Sequence, residues 1–286
     1  MEEKKCIIVR YSEIALKGKN RARFENRLIE NIKFYLDKEK VKYDKVIKLN
    51  SRILILTEII INLKPVFGIL NYSNATYLEY DYEILKEKAE KFADSLKNKE
   101  TFRVSVQRID KNIGKKSVDM ERDFGEIIYE KTKNPVSLKE FDRNFEIELF
   151  GGNSYIFEGK IDCFGGLPIG TDLNTSSIIS NKKDILANLL MMRRGVVPNP
   201  ILIKENMDIS LLKNFLNTPS KIDIIKENID EKNFIIEKKL RSIIKGENLE
   251  GINENIKEDI LILRPLINMT EKDIDEELVK YYGSVN

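Results

Sequence analysis

The spacing of apolar residues divides the chain into short segments that favour strands or helices. Alternating apolar and polar residues are typical of strands, and apolar residues three or four apart are typical of amphipathic helices. Residues 6–10 form a strand-like run, a helical pattern follows Gly18, and strand-like runs return at 43–49 and 53–57. The apolar face of that helix comprises Phe24, Leu28, Ile32, Tyr35 and Leu36. This order predicts a small α/β unit at the start of the chain.

The next stretch predicts a second, larger α/β unit. A short helix beginning at Val66 leads into a strand-like run and then into two amphipathic helices, which are separated by an alternating strand and a glycine-containing loop. Strand-like runs at 136–141, 145–150 and 155–161 complete the unit. The apolar faces of the two helices comprise Ile84, Leu85, Ala89, Phe92 and Leu96 in the first, and Met120, Phe124, Ile127 and Ile128 in the second.

Residues 165–195 are predicted to form a hinge before the last part of the chain. Within them, 176–179 is strand-like, 180–184 is polar and 185–192 is almost wholly apolar. This pattern predicts a strand, a tight loop and a buried helix with Gly195 at its C-terminal cap. Beyond the hinge, the sequence predicts a strand at 200–204 and helices at 209–217 and 231–244. The chain is therefore predicted to be an α/β protein of two or three domains.

Composition and charge indicate the setting of the protein. With 286 residues and 42% apolar side chains, the chain can bury more than one core. It has no apolar run of transmembrane length, no signal-peptide pattern after its charged first residues and no lipidation motif, which favours a soluble cytoplasmic protein. The net charge is +2, and the basic excess lies in residues 1–170. A polyanionic partner is therefore expected to bind the first part of the chain.

The residue types exclude several kinds of catalysis. The sequence has no histidine, which excludes Ser-His-Asp and Cys-His catalysis and zinc sites that use histidine. Cys6 and Cys163 stand far apart in apolar, strand-like surroundings, so burial is favoured over a redox or nucleophilic role. Any catalysis would therefore rest on carboxylates, lysines, backbone amides or a bound metal, and we assign no catalytic residue and no metal ligand.

Two basic clusters are the candidate nucleic-acid contacts. The first comprises Lys17, Lys19, Arg21 and Arg23, followed by Arg27, with Glu25 as the only acid among residues 15–27. The second comprises Arg103, Arg108, Lys111, Lys115 and Lys116, with Asp110 as its only acid. Ser117 follows as the expected N-cap of the next helix, and cations beside a helix N-terminus suit phosphate binding. The alternative for each cluster is a solvated helix start without a ligand.

A polar loop of five residues is a candidate phosphate site, because loops from a strand to a helix N-terminus favour anions. The loop comprises Ser180, Asn181, Lys182, Lys183 and Asp184. It has no glycine, although close approach of the backbone to a pyrophosphate needs residues without side chains. The competing interpretation is an ordinary helix start, with Asn181 as N-cap and Asp184 completing a capping box. We favour that interpretation and treat the loop as a vestigial nucleotide site.

Several segments resemble the tRNA 4-thiouridine synthetase, or tRNA sulfurtransferase, family. RYSEIALKGKNR, with FE two residues later, is similar to a hallmark of that family's ferredoxin-like domain, and QRIDKNIGKKS is similar to a loop of its THUMP domain. GGLPIG, LLMMRRG and ILRPLINMTEKDI resemble stretches of its PP-loop ATP-pyrophosphatase domain. In the nucleotide loop, Ser180 and Asp184 match the family pattern SGGxDS. Asn181 and Lys182 replace its two glycines, and Ile185 replaces its second serine.

The resemblance implies a ferredoxin-like domain at 1–62, a THUMP RNA-binding domain at 63–166 and a shrunken PP-loop-like domain at 167–286. It implies a tRNA-binding protein whose basic clusters grip the acceptor stem and 3′ end, with nucleotide chemistry lost or reduced and no cofactor in use. One alternative is an active sulfurtransferase that uses ATP and Mg²⁺ and takes sulfur from an external donor. The other is a homodimer or subunit that lends tRNA binding to a separate catalytic chain.

Overall fold

The computed structural model describes residues 3–49, 51–203, 207–220, 225–226, 242–252 and 260–285. The strands are β1 (Lys4–Arg10), β2 (Lys45–Leu49), β3 (Arg52–Leu56), β4 (Asn71–Glu79), β5 (Phe102–Arg108), β6 (Arg143–Phe150), β7 (Asn153–Phe157), β8 (Ile161–Asp162), β9 (Asn174–Ile179), β10 (Val197–Leu202), β11 (Ile225–Lys226), β12 (Ser242–Ile244) and β13 (Leu261–Leu263). The helices are α1 (Arg21–Lys38), α2 (Tyr82–Ser95), α3 (Ser117–Thr132), α4 (Lys182–Arg193), α5 (Ser210–Phe215) and α6 (Glu271–Val285). Short 3₁₀ helices occupy Glu13–Asn20 and Leu249–Gly251. None of these helices is long and apolar enough to cross a bilayer.

Residue contacts group the chain into two compact units that do not follow chain order. The first unit comprises Met1–Arg10, Lys42–Ile60 and Asn71–Asp162. The second unit comprises Tyr11–Val41, Ile61–Leu70 and Cys163–Asn286. The first basic cluster therefore belongs to the same compact unit as the C-terminal part of the chain. The division at 1–62, 63–166 and 167–286 stays a prediction about domains.

A mixed sheet forms the first unit. Its described strands follow the order β2-β3-β1-β4-β7-β6-β5, and β8 pairs with β4. The β5–β6 pair is parallel and the other pairs are antiparallel. The helices α2 and α3 bury their predicted apolar faces, including Leu85, Phe92 and Phe124, in one core with Phe145 of β6. Alternation along the strands therefore places the helices on one face of the sheet, and their buried faces are the ones that the sequence predicts.

Three elements between residues 66 and 162 differ from the predictions. No helix forms at Val66, where hydrogen-bonded turns lead to β4 instead. Of residues 136–141, only Val136 pairs, through a single bridge to Phe102, and the rest is irregular. The run 155–161 divides into β7 and β8 because Gly159 between them has a φ of 77°. Apolar composition alone does not make a strand where no partner strand is in register.

A parallel sheet in the order β11-β10-β9-β12-β13 forms the second unit, together with α1, α4, α5 and α6. The strand β10 begins at Val197, earlier than the predicted 200–204. The Val197 N–H donates to the Leu173 carbonyl beside β9 (3.3 Å), so the missing donors of Pro198 and Pro200 face the other edge of β10. Proline is tolerated in a strand when its nitrogen lies on such an edge.

One predicted helix of the second unit is wrong where it can be compared. Of the predicted helix at 231–244, residues 242–244 form β12, which pairs in parallel with β9 and β13. Residues 231–241 lie outside the described part of the chain. The helix predicted at 209–217 is confirmed as α5.

Gly195 and the glycine-rich residues 165–170, which begin the hinge, bond to the C-terminus of α4. Gly195 has a φ of 93°, and its N–H donates to the Met192 carbonyl (2.9 Å) while the Val196 N–H reaches the Met191 carbonyl (3.2 Å). This pattern is a Schellman motif, with Gly195 one residue beyond the cap. The hinge adds a further bond, because the Leu167 N–H donates to the Arg193 carbonyl (2.8 Å). A Cβ on Gly166 would lie 2.2 Å from that carbonyl oxygen, so only glycine fits there.

The same hinge also holds α1 in the second unit. Asn31, which is buried on α1, donates its side-chain N–H to the Ile169 carbonyl of the hinge (3.0 Å). At the end of α1, the Lys38 ammonium donates to the side-chain oxygen of Asn217 (3.0 Å), whose own amide donates to the Pro65 carbonyl (3.0 Å). Buried amides that find such partners fix the position of a helix, because leaving them unpaired is costly.

We predict that Gly166→Ala destabilises the chain far more than Gly165→Ala. Both glycines have a positive φ, so each alanine should cost about 1–2 kcal/mol for left-handed backbone. No atom lies within 4 Å of a Cβ at Gly165, whereas one at Gly166 collides with the Arg193 carbonyl, which should add at least ~2 kcal/mol. Urea unfolding of both variants measures the difference, and equal midpoints would contradict the role given to the hinge.

Candidate nucleic-acid interface and the vestigial nucleotide loop

Lys17 and Lys19 of the first basic cluster lie on a short loop before α1, and its arginines lie on the first turns of α1. Residues 13–20 form the 3₁₀ helix, which is interrupted at Gly18 by a φ of 51° and a ψ of −125°. Lys19 is exposed, and no residue of the described chain forms an ion pair with it. The Lys17 ammonium lies 5.1 Å from the centre of the Phe24 ring. Leu16 beside it is 86% exposed, so the tip combines charge with accessible apolar surface.

A buried network closes this loop at its base. The Tyr11 hydroxyl donates to the Glu25 carboxylate, and Arg21 donates to the same carboxylate (2.7 Å) and to the Tyr11 hydroxyl (3.0 Å). Burial, reinforced by the hydrogen bond to Glu25, raises the pKa of Tyr11 to about 12. Arg21, one of the predicted RNA contacts, is thus held against its own chain. The sequence motif contained Tyr11 and Glu25, but only their position in the fold reveals this use.

Two further arginines of the cluster have partners in the second unit. Arg23 is exposed and donates to the Thr171 carbonyl, three residues before β9 (3.4 Å). Arg27 forms an ion pair with Glu30 one turn later on α1 (3.1 Å). A weak contact at 3.4 Å and an exposed pair are both easily exchanged for a ligand. Lys17, Lys19 and Arg23 are therefore the members of the cluster most open to a polyanion.

The second basic cluster lies on β5, which carries Arg103 and Arg108, and on the loop from β5 to α3, which carries its three lysines. Arg108 at the end of β5 donates to the Lys115 carbonyl (2.6 Å) and to the Lys111 carbonyl, so its guanidinium spans the loop. Asp110 accepts the Gly151 N–H (2.6 Å), which ties the loop to the β6–β7 turn. Gly114 has a φ of 69°. The loop is therefore folded on itself around an arginine.

The other basic side chains of this cluster differ in whether they bond to neighbouring residues. Lys115 donates to the Tyr82 hydroxyl (3.2 Å) and to the Asp123 carboxylate (3.3 Å), and these bonds raise the pKa of Lys115. Arg103 donates to the Leu138 carbonyl (3.3 Å). Lys111 and Lys116 are exposed, with no ion pair among the residues that the structure describes. These last two lysines are the accessible cations of the second loop.

The prediction that Ser117 caps α3 is wrong. Ser117 is the first helical residue, and the cap position belongs to Lys116, which makes no side-chain cap bond. The helix begins one residue earlier than expected because the Lys116 carbonyl already accepts the Met120 N–H (3.1 Å). The helix start therefore lies directly beside the carbonyl of Lys115 that Arg108 holds.

The polar loop before α4 is a complete capping box, as the sequence predicts. The Asn181 side chain accepts the N–H groups of Lys183 (2.8 Å) and Asp184 (3.4 Å). The Asp184 carboxylate accepts the N–H groups of Ser180 (2.9 Å) and Asn181 (3.2 Å) and the Ser180 hydroxyl (2.9 Å). It also accepts the Gly246 N–H (2.9 Å). The backbone donors that would face a phosphate are thus taken by the loop's own side chains.

The lysines of this loop also have internal partners. Lys182 forms an ion pair with Asp275 (2.6 Å), and Lys183 pairs with Glu271, both on α6. The bond from Lys183 and a second from Asn248 (3.0 Å) lower the pKa of Glu271. No residue from 180 to 184 has a positive φ, so the loop does not use the backbone conformation that glycines would allow.

The described residues offer few other reactive or metal-binding groups. Burial raises the pKa of the Cys6 thiol to about 12, which keeps it protonated and unreactive. Cys163 is half-buried. Within the described chain, no three or more cysteine, aspartate or glutamate side chains lie close enough to hold a metal ion. The candidate groups are therefore two basic clusters, one in each unit, and a closed polar loop in the second unit.

Known proteins identify the class of the chain. Residues 6–73 match the ThiI ferredoxin-like domain, and residues 79–157 match the THUMP domain. A probable tRNA sulfurtransferase of Thermococcus kodakarensis is 36% identical over 206 residues, which cover 68% of this chain and 54% of that protein. One from Staphylococcus aureus strain N315 is 32% identical over 198 residues, which cover 66% and 48%. The chain spans about half the length of these curated relatives.

Solved structures agree with this class. The crystal structure of PH1313 from Pyrococcus horikoshii OT3 has a TM-score of 0.82 at 28% identity and covers 98% of this chain and 99% of its own. A 4-thiouridine synthetase, solved in complex with RNA and with bound ATP, has a TM-score of 0.78 at 23% identity, covers 98% and 85%, and shows the fold alone. The protein is thus a mixed α/β protein with ferredoxin-like and THUMP domains. It belongs to the tRNA sulfurtransferase, or 4-thiouridine synthetase, family.

We predict that Tyr11→Phe removes a pH-dependent part of the stability. The Tyr11 bond should contribute about 1–2 kcal/mol at pH 8, because its acceptor is a buried carboxylate. The pKa of Tyr11 is raised by folding from 10.0 to about 12, so this contribution is complete below pH 10 and falls as the pH rises toward 12. Urea unfolding at several pH values should therefore show a gap between wild type and variant that narrows above pH 10. Tyr129→Phe, at an exposed tyrosine, is the control, and a constant gap would contradict the network.

Proposed function

We propose that this chain binds tRNA through its two basic loops and that its nucleotide chemistry is lost or reduced. The observation that carries the proposal is the closed capping box at the start of α4, in a chain whose basic loops keep accessible lysines. In the family, the corresponding nucleotide loop has glycines, whereas here the donors of the loop bond to Asn181 and Asp184. The relatives named tRNA sulfurtransferase and the THUMP match support tRNA as the partner.

The chemistry of the loops suits an RNA backbone. Lys19, Lys111 and Lys116 present compact charges on folded loops, and ammonium groups bind phosphates without reading sequence. Double-stranded RNA offers mainly shape, 2′-hydroxyls and phosphates, so a protein that modifies or holds tRNA depends on such contacts. Under this proposal the chain supplies tRNA binding, and a separate catalytic polypeptide would supply any modification chemistry.

We predict that Lys19→Ala and Lys111→Ala each weaken tRNA binding. Each loss of a phosphate contact should raise the Kd roughly fivefold at 0.15 M salt and flatten the slope of log K against log salt by about 0.7–0.9. Filter binding of tRNA between 0.05 and 0.3 M salt measures both quantities. The matched controls are Lys33→Ala and Lys97→Ala, which remove exposed lysines outside both loops and should leave the slope unchanged. If both loop variants keep the wild-type salt slope, these lysines do not contact tRNA.

We predict that ATP with Mg²⁺ does not stabilise this chain. A ligand raises the melting temperature only in proportion to its binding, and the capping box leaves no backbone donor for a pyrophosphate at residues 180, 181, 183 and 184. Thermal unfolding with and without about 1 mM ATP should therefore agree within about 1 °C. A saturable rise of several degrees, or release of pyrophosphate with tRNA, would instead support the active sulfurtransferase that takes sulfur from an external donor.

A further inference from the structure

We propose that Arg108 is a positioning residue, which closes the loop 109–116 so that Lys111 and Lys116 face RNA phosphates, and that it is not itself a phosphate contact. The inference rests on the proposed function and assigns a different role to a residue that its sequence context places among the RNA contacts. Its basis is the direction of the guanidinium, which faces the protein's own backbone and bonds at two points of one loop.

The two hydrogen bonds of Arg108 reach the backbone at or next to each accessible lysine. One nitrogen of its fork donates to the Lys115 carbonyl (2.6 Å), directly before Lys116, and the other donates to the carbonyl of Lys111 itself. Because both carbonyls belong to the backbone, the guanidinium fixes where the two lysine side chains begin. Turning the fork toward a phosphate would break both bonds and release the loop.

Other contacts also hold the loop in this conformation. The Ile109 N–H donates to the Leu149 carbonyl (2.9 Å), and the Ile113 N–H donates to the Asp110 carbonyl (3.2 Å). Gly114 passes so close to Tyr80 that a Cβ would lie 2.4 Å from the tyrosine hydroxyl. These bonds hold the first half of the loop, and the Arg108 bond to Lys115 holds the second half. A loop ordered before binding gives up less conformational freedom when it meets its ligand.

The first basic loop shows the same arrangement on unrelated residues. Arg21 bonds inward to Glu25 and Tyr11, on either side of the loop that carries Lys17 and Lys19. In each loop the arginine has a planar fork that bonds two acceptors, and the exposed cations at the tip are lysines. A lysine in place of the arginine would keep the charge but could not hold two fixed acceptors in the same plane.

The test compares Arg108→Lys with Arg108→Ala in tRNA binding. If Arg108 positions the loop, both variants should lose the contacts of Lys111 and Lys116, which raises the Kd roughly twentyfold at 0.15 M salt and flattens the salt slope by about 1.5. Adding Lys111→Ala to Arg108→Lys should then change the Kd less than twofold. If Arg108→Lys binds within twofold of wild type, Arg108 is a phosphate contact and the proposal is overturned. Arg122→Lys, at an exposed arginine on α3 paired with Asp119, is the control and should leave binding unchanged.

A second measurement tests the loop without RNA. Hydrogen exchange of residues 109–116 should be faster in Arg108→Lys than in wild type and in Arg122→Lys, since two carbonyls lose their donor. Unchanged exchange overturns the positioning role even if tRNA binding falls. If wild type binds no tRNA at all, the proposed function fails, whereas faster exchange in Arg108→Lys alone would still establish that Arg108 holds this loop closed.

Discussion

The close fit between the glycine-rich residues 165–170 of the hinge and the C-terminus of α4 is the constraint on which the second unit depends. The hinge satisfies a carbonyl at the end of α4 through Leu167, and it can do so only because Gly166 lacks a side chain. The carbonyl of Ile169, three residues further on, receives the buried amide of Asn31. One short segment thus fixes the end of a helix, the approach to β9 and the position of α1.

The two ends of α4 form most of their hydrogen bonds within the chain. At its N-terminus, Asn181 and Asp184 use the backbone donors that an anion would need, and at its C-terminus the hinge and Gly195 use the carbonyls. A helix whose free groups are bonded within the chain is stable without a ligand. The ion pairs from Lys182 and Lys183 to α6 add to this closure.

Periodicity was enough to predict the fold class and most of the regular elements, whereas the family was predicted from the resemblance of short motifs. The helix α2 follows from the helical spacing of its apolar residues, whereas β9 and α4 follow from a strand-like run, a polar loop and an apolar run that ends near Gly195. The helix at Val66, the strand at 136–141 and the cap at Ser117 were wrong, because each depended on a neighbour that the sequence does not reveal. The strand β12 was missed because parallel central strands are short and have no alternating pattern.

The sequence located the candidate residues, but it did not reveal which of them bond to other residues of the chain. Counting charges located both basic clusters, and the asparagine and aspartate of the polar loop were predicted correctly as a capping box. A count cannot show which cations have partners. Lys115 meets Tyr82 from 33 positions away, and Arg21 meets a tyrosine 10 positions before it. Such pairings arise only when the chain is folded, so roles within a basic cluster need the structure.

The membership of α1 in the second unit has a consequence for synthesis on the ribosome. Asn31 bonds to a carbonyl 138 positions later, and Lys38 to a side chain 179 positions later. During translation, therefore, the helix beside the first basic loop emerges long before the partners that anchor it. Contacts this distant in sequence form slowly and late, so α1 cannot complete its packing until Ile169 and Asn217 have been made.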